Sequence, residues 1–302
     1  MSMKIPTPLQ PSGRLNPLND YLFLKIMGEK GSEIQLLGFL NAVLGRTESN
    51  RLVSVEIIEN KTLSAESLGA KTSILDVRAK LKDGTRVNIE VQLRNLGNFD
   101  KRSLFYWGRE YTKSIKSGQD YMYLPTVINI NIIDFDFLET DNFHTVFRLK
   151  EEKESQLILT EILEIHFINM VKWRRCGTID IVNEPLHRWL TWFDRNSPAE
   201  LVEEVVKMDN AIMEANKRQI YITDDEEEIR AYEMREMALM DERARLSYAL
   251  DEGRREGLNE GKIEIARKAL AEGLTPEIVQ KITGLDTETI KGLNKLGMDD
   301  KD

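Results

Sequence analysis

Asp76 and Glu90 are the side chains whose types and spacing point most directly to chemistry. Both lie in residues 71–93, KTSILDVRAKLKDGTRVNIEVQL. In the first half Ser73, Leu75, Val77, Ala79 and Leu81 alternate with Ile74, Asp76, Arg78 and Lys80; in the second, Val87, Ile89, Val91 and Leu93 alternate with Asn88, Glu90 and Gln92. A period of two means extended strands. Lys82-Asp83-Gly84 between them suits a three-residue hairpin loop, a type I turn closed by a glycine in the left-handed region. With that loop Leu81 faces Thr85, and Ala79 with Val87, Val77 with Ile89 and Leu75 with Val91 become apolar cross-strand pairs. A two-residue turn would instead set Asp76 against Val91 and Val77 against Glu90, mixing the two faces, so the longer loop is expected. It puts Asp76 across from Glu90, with Cβ atoms about 5 Å apart. Carboxylates that close repel unless they share a cation or a proton, and oxygen-only donors favour a hard ion, magnesium or manganese. The same face also carries Arg78, Lys80 and Arg86, which would neutralise the pair and leave an ordinary solvated sheet face.

The elements around this hairpin follow from pattern. Asn16-Pro17 or Asn19-Asp20 starts a helix through Tyr21, Leu22, Phe23, Leu24 and Ile26 after a loose N-terminal tail. Residues 32–44 fit a second helix, capped by Ser32, with Ile34, Leu37, Leu40, Val43 and Leu44 inward and Gly45 at its end. Residues 52–59 alternate as a strand, and 60–70 form a polar connection. Beyond the hairpin, Asn98 or Asp100 caps a helix running to Gly118, with Leu104, Trp107 or Gly108, Tyr111 and Ile115 inward. Arg102, Tyr106, Arg109 and Lys113 recur on another face at helical spacing, a basic stripe able to hold phosphates or simply to be solvated. Residues 124–135 read as a buried strand. The order is helix, three strands, helix, strand.

Farther on, FHTVFRL from 143 is expected as a strand, residues 157–171 resist assignment, and a capped helix fits Asn183 to Phe193. Pro198 opens a helix to about Ile220, and a long charged helix starts at Asp224. Gly253, Gly257 and Gly261 then fall on one helical face. There they would admit a second backbone or act as a hinge, at a propensity cost of about 1 kcal/mol each relative to alanine. Residues 263–302 suggest a small three-helix unit of helix-turn-helix type. With six basic and eight acidic side chains, a packing or dimerisation role is expected of it rather than reading of DNA. A homodimer is expected through this C-terminal third.

At 302 residues the chain is long enough for one large core with appended helices or for two domains. No apolar run approaches the ~20 residues that span a bilayer, and no signal-peptide stretch is apparent, so a cytoplasmic protein without a membrane partner is expected. The lone Cys176 precludes an internal disulfide, and His144, His166 and His187 lack zinc spacing. The net charge of −9 is unevenly spread. Residues 1–130 hold 18 Lys and Arg against 13 Asp and Glu, and the remainder 24 against 38. The basic part is the part with the hairpin, which is a signal for a polyanionic partner there, although scattered basic residues more often form a solvated surface.

Several of these stretches together resemble a known family. Asn19-Asp20 with Phe23 and Lys25, FLNAVL at 39–44, Leu75-Asp76-Val77, Asn88-Ile89-Glu90-Val91-Gln92, Arg102 with Tyr106, and Gly118, Tyr121, Leu124, Pro125, Val127 and Ile128 are similar to the recombination-promoting nuclease or putative transposase family of PD-(D/E)XK nucleases. The Glu-Gly repeats and Thr283-Gly284-Leu285 extend the likeness. The resemblance implies an α/β, restriction-endonuclease-like αβββαβ core with a long helical C-terminal extension, acting as a magnesium-dependent DNA endonuclease linked to recombination or mobile elements. It assigns Asp76 and Glu90 to the acidic motif and Asp20 to an early acidic position, where it would reach the metal from the first helix as a further catalytic residue. Gln92 falls where many relatives keep lysine, so neutral hydrogen bonding replaces a cation beside the attacking water. Such a change also fits a catalytically weakened protein that binds DNA or self-assembles. Asp76, Glu90 and the Val91 carbonyl would hold the ion, with Arg102, Tyr106, Arg109 and Lys113 on backbone phosphates. The expected organisation is a nuclease-like domain over 1–222, a charged helix with Glu-Gly repeats over 223–262, and a small helical unit over 263–302.

Overall fold

The computed structural model describes residues 14–58, 76–95, 97–115 and 118–299. The N-terminal tail before Arg14, the 60–70 connection and the first half of the hairpin's leading strand, including Leu75 opposite Val91, lie outside them. The chain divides into two compact units, Met1–Glu236 and Met237–Asp302.

In the first unit the described strands form a six-stranded mixed sheet. They are β1 (Val55–Ile58), β2 (Val77–Leu81), β3 (Arg86–Gln92), β4 (Val127–Ile133), β5 (His144–Phe147) and β6 (Leu163–Asn169), in the spatial order β1-β2-β3-β4-β6-β5. The expected hairpin register is present: Val77 pairs with Ile89 and Ala79 with Val87. Leu81 N–H donates to Thr85 O at 2.8 Å, and Gly84 has the φ of 90° that closes such a loop. On its other side β3 runs parallel to β4, with Asn88 beside Asn129 and Glu90 beside Asn131. The unassigned 157–171 stretch becomes β6, parallel to β4, followed by α4 (Met170–Arg175). Asn169 accounts for the switch, its side chain accepting from Lys172 N at 3.0 Å.

Alternation sends the two sheet faces to different partners. Val87, Ile89, Val91, Ile128, Ile130 and Ile132 join one large core with α1 (Asp20–Met27), α2 (Glu33–Val43), α5 (Pro185–Phe193), α6 (Ala199–Met208) and α7 (Asn210–Asp224). Trp173, Trp189 and Trp192 are fully buried there. The opposite face carries α3 (Phe99–Lys113), packed on Ile133, Leu163, Ile165 and Phe167 through Phe99. Trp107 of α3 donates its indole N–H to Val127 O at 2.9 Å.

Three local expectations need correction. The buried face of α2 contains Gln35, Leu36, Phe39, Leu40 and Val43, whereas Ile34 is exposed, and Ser32 makes no side-chain cap bond. Gln35 can be buried because its amide donates to Ile26 O at 2.9 Å. On α3, Leu104 points outward while Ser103 is buried. The single helix expected from Pro198 is two, because Asp209 turns extended and accepts from Ala211 N at 3.0 Å, starting α7.

The long charged helix, α8 (Glu226–Ala271), is one unbroken 46-residue element. Among the described residues nothing lies within 4 Å of a Cβ built on Gly253, Gly257 or Gly261. The second unit closes on its own core of Ala266, Val279, Leu285 and Ile290, formed by the end of α8 with α9 (Pro276–Thr283) and α10 (Thr287–Asp299). Gly284, at φ 65°, caps α9 in the left-handed region.

Candidate active site

The α3 face of the sheet contains a cleft of about 290 Å³ lined by Asp76, Arg78, Asn88 and Glu90 from the hairpin and by Tyr106, Arg109, Glu110 and Lys113 from α3. The hairpin register carries the two carboxylates here: Val77 pairs with Ile89, so the next antiparallel step sets Asp76 against Glu90. Alternation then points Glu90 away from the apolar core shared by Ile89 and Val91.

Glu90 is 2% exposed. Its Oε1 accepts from Arg102 Nη2 at 2.6 Å, while Oε2, also buried, has no hydrogen-bond partner among the described residues. Burial raises its pKa above the ordinary carboxylate value, Arg102 opposes the shift, and the neighbouring Asp76 charge adds to it. Asp76 is likewise raised, first by burial, with Arg78 acting against it and Glu110 reinforcing it. Arg78 Nε lies 3.7 Å from Asp76 Oδ2. Glu110 sits between Arg78 and Arg86 at 3.8 and 3.9 Å. The Arg102 guanidinium also stacks 5.5 Å from the Tyr106 ring centroid.

A buried carboxylate with an orphaned oxygen beside a half-buried one, both with raised pKa, makes a donor set that a hard cation would relieve. The residues present fit a divalent ion in that sense. Among the described residues no group of three or more His, Cys, Asp or Glu could hold a metal. Further ligands would therefore be main-chain oxygen or water, which magnesium accepts readily.

The residues singled out by sequence are distributed unevenly. Asp76, Glu90, Tyr106, Arg109 and Lys113 line the one cleft. Arg102 is engaged with Glu90 rather than turned outward with Arg109 and Lys113. Val91 belongs to the strand but sends its side chain into the opposite core. Gln92 is not a lining residue, and its amide donates to Arg94 O at 3.2 Å. Asp20 is not a lining residue either: Arg235 Nε holds its two oxygens at 2.9 and 3.1 Å. Sequence reasoning overlooked Asn88 and Glu110 as lining residues. The available signal for Asn88 was a polar side chain at the same parity as Glu90 in an alternating strand.

A family model described as PD-(D/E)XK nuclease family transposase matches residues 17–249, and one described as Rpn/YhgA-like nuclease family, C-terminal HTH domain, matches residues 259–295. Comparison with curated proteins and with solved structures returned no match. Among the described residues no helix is long and apolar enough to cross a membrane.

Proposed function

Since the chain belongs to the PD-(D/E)XK nuclease family transposases, we propose that it is a DNA endonuclease hydrolysing phosphodiester bonds with magnesium, or manganese, held by Asp76, Glu90 and the Val91 carbonyl. The observation that carries this reading is the buried, unpartnered Oε2 of Glu90 in a cleft shared with Asp76. A divalent ion bound there would polarise the phosphate and lower the pKa of a water. The chain's own side chains have separate tasks. Arg102 grips Oε1 of Glu90 at 2.6 Å, which orients the carboxylate and leaves the other oxygen for the ion. Tyr106, Arg109 and Lys113 present a hydroxyl and two cations along the same cleft, suited to the phosphates flanking the scissile bond.

Residues 1–222 would perform cleavage, 223–262 would link, and 263–302 would add contacts to DNA, a role supported by the match to a helix-turn-helix domain. The exposed Tyr248, Leu250 and Leu258 of α8 favour pairing of two copies, an arrangement suited to cutting both strands in recombination or movement of a mobile element. In a plasmid-nicking assay, magnesium or manganese should support cleavage, and Asp76→Ala or a chelator should abolish it. Equal activity in either case would refute the reading.

A second reading is favoured by one observation, the turn of Gln92 towards Arg94 O, which leaves the motif position without a donor in the cleft. The protein would then bind DNA or self-assemble without cutting. Gln92→Lys separates the two: creation of cleavage where the wild type has none supports the weakened form, whereas activity already present in the wild type excludes it.

A further inference from the structure

Beneath α3 a line of asparagine side chains crosses the sheet and ends at the cleft. Asn88 Nδ2 donates to Asn129 Oδ1 at 2.9 Å. Asn129 Nδ2 donates to Asn131 Oδ1 at 3.3 Å and to the main-chain oxygen of Ser103 at 3.4 Å. Asn131 Nδ2 donates in turn to the main-chain oxygen of His166 at 3.0 Å. Either end of a carboxamide can face a neighbour, so each link alone is ambiguous. The terminal partner removes the ambiguity. A main-chain carbonyl only accepts, so Asn131 must offer its NH2 to His166 and its oxygen to Asn129. Asn129 must then offer NH2 to Asn131, an orientation that the Ser103 carbonyl fixes a second time. Its oxygen is left for Asn88, which must donate. The polarity set at β6 therefore forces Asn88 to turn an acceptor oxygen away from the ladder.

That oxygen is buried and has no partner among the described residues, although Asn88 is only 4% exposed and lines the cleft. Reversing the amide would set the Asn88 and Asn129 oxygens against each other. Two residues along the same strand face, Glu90 Oε2 is also unpartnered. The cleft thus offers two acceptors fixed by their surroundings, together with Asp76, and calls for a ligand that brings both positive charge and O–H donors.

We infer that Asn88 is a positioning residue for a hydrated divalent cation, its side-chain oxygen accepting a hydrogen bond from water carried by the ion at Asp76 and Glu90. This rests on the nuclease reading above. Alternate residues of a strand stand about 6.6 Å apart along the chain, while magnesium binds oxygen at about 2.0–2.1 Å and retains several waters. A water between ion and amide spans the difference. Asn88 thereby orients a water that the neutral Gln92, turned towards Arg94, does not reach.

Manganese titrated calorimetrically into the full-length wild type, Asn88→Ala, Asn88→Asp and Glu90→Ala provides the test, with thermal melting to verify folding. Removal of an outer-shell partner typically costs 10–100-fold in metal affinity, so Asn88→Ala should bind manganese at least about tenfold more weakly. Asn88→Asp keeps an oxygen at the cleft and adds charge, but it has no donor for Asn129 Oδ1 and breaks the ladder at its first link; in a protein that still melts cooperatively its affinity should equal or exceed that of the wild type. Wild-type affinity in a folded Asn88→Ala protein would overturn the inference while leaving the carboxylate site intact, with Lys113 or Arg109 then serving as the donor to Asn88. Should Asn88→Ala fail to melt cooperatively, weaker binding by an Asn88→Asp protein that melts like the wild type would overturn it instead. Identical titrations of the wild type and Glu90→Ala would remove the metal site itself, a failure of the underlying reading and distinguishable from the first.

Discussion

Arg235→Ala removes the donor side of a pair that ties the start of α1 to α8. Arg235 Nε lies 2.9 and 3.1 Å from the two Asp20 oxygens, and the side chains are 6% and 15% exposed. Removing one partner of a buried pair costs roughly 3–5 kcal/mol, because the other charge stays withdrawn from water. Asp20 would retain the Tyr21 N–H at 2.9 Å and some contact with solvent, so the lower end applies, about 3 kcal/mol. In a unit spanning Met1–Glu236 that corresponds to a fall in Tm of about 6–12 °C. Asp20→Ala removes the carboxylate from the more deeply buried guanidinium and should also destabilise the unit. The double variant should fall short of the summed single effects by about 1–3 kcal/mol, as expected of partners in direct contact. Scanning calorimetry of the four proteins measures these values, and manganese titration of the same samples examines the cleft. An Asp20→Ala protein that melts like the wild type but loses manganese would refute the reasoning, returning Asp20 to the metal site where its sequence position first suggested it.

Burial raises the pKa of both Asp76 and Glu90. Between the ordinary and raised values the folded protein binds more protons than the unfolded chain, so the metal-free protein should lose stability as pH rises through that window. Glu90→Gln should flatten the decline in melting curves recorded across the acid range; an unchanged slope would assign it to other groups. At Gly38 an added Cβ would meet the Ala211 Cβ at 2.3 Å where α2 crosses α7. Gly38→Ala should therefore destabilise by about 1–3 kcal/mol in denaturant titration, and a neutral result would mean that the helices part without strain. Gly257→Ala meets nothing within 4 Å among the described residues and should stabilise α8 by up to about 1 kcal/mol. Loss of a dimer by light scattering in that variant would identify the glycine face as the contact between copies.

The features legible in the sequence were those fixed by near neighbours. Loop length and alternation across residues 77–91 set a register that brings Asp76 and Glu90 together, and the fully buried β4 announced itself as an apolar run. Inward faces were misread where hydrophobicity no longer marks the interior. Helix α3 lies on a sheet face bearing Glu90, Asn129 and Asn131, so Ser103 and Arg102 turn towards it and Leu104 does not. Other parts of the site depend on distant pairings. The Asn88 orientation is decided by the His166 carbonyl three links away, and the Asp20 partner stands 215 residues downstream. Neither leaves a periodic trace in the chain. Asp209 had a local trace, since Asp is a common cap, but the continuing helical pattern around it hid the break.

The burial of three tryptophans has an optical consequence. The chain's four indoles are Trp107, Trp173, Trp189 and Trp192, all within Met1–Glu236 and none within Met237–Asp302. Intrinsic emission excited at the indole band is thus blind to the second unit. Its red shift on denaturation follows the first unit alone, whereas far-ultraviolet ellipticity, dominated by helix, sums over both. A mismatch between the two curves would count the melting steps without any label. Trp107 is the one indole on the helix that borders the cleft, stacked on Tyr111 at 5.0 Å. Trp173, Trp189 and Trp192 are sealed in the opposite core, so quenching by added manganese should come from Trp107 and vanish in Trp107→Phe.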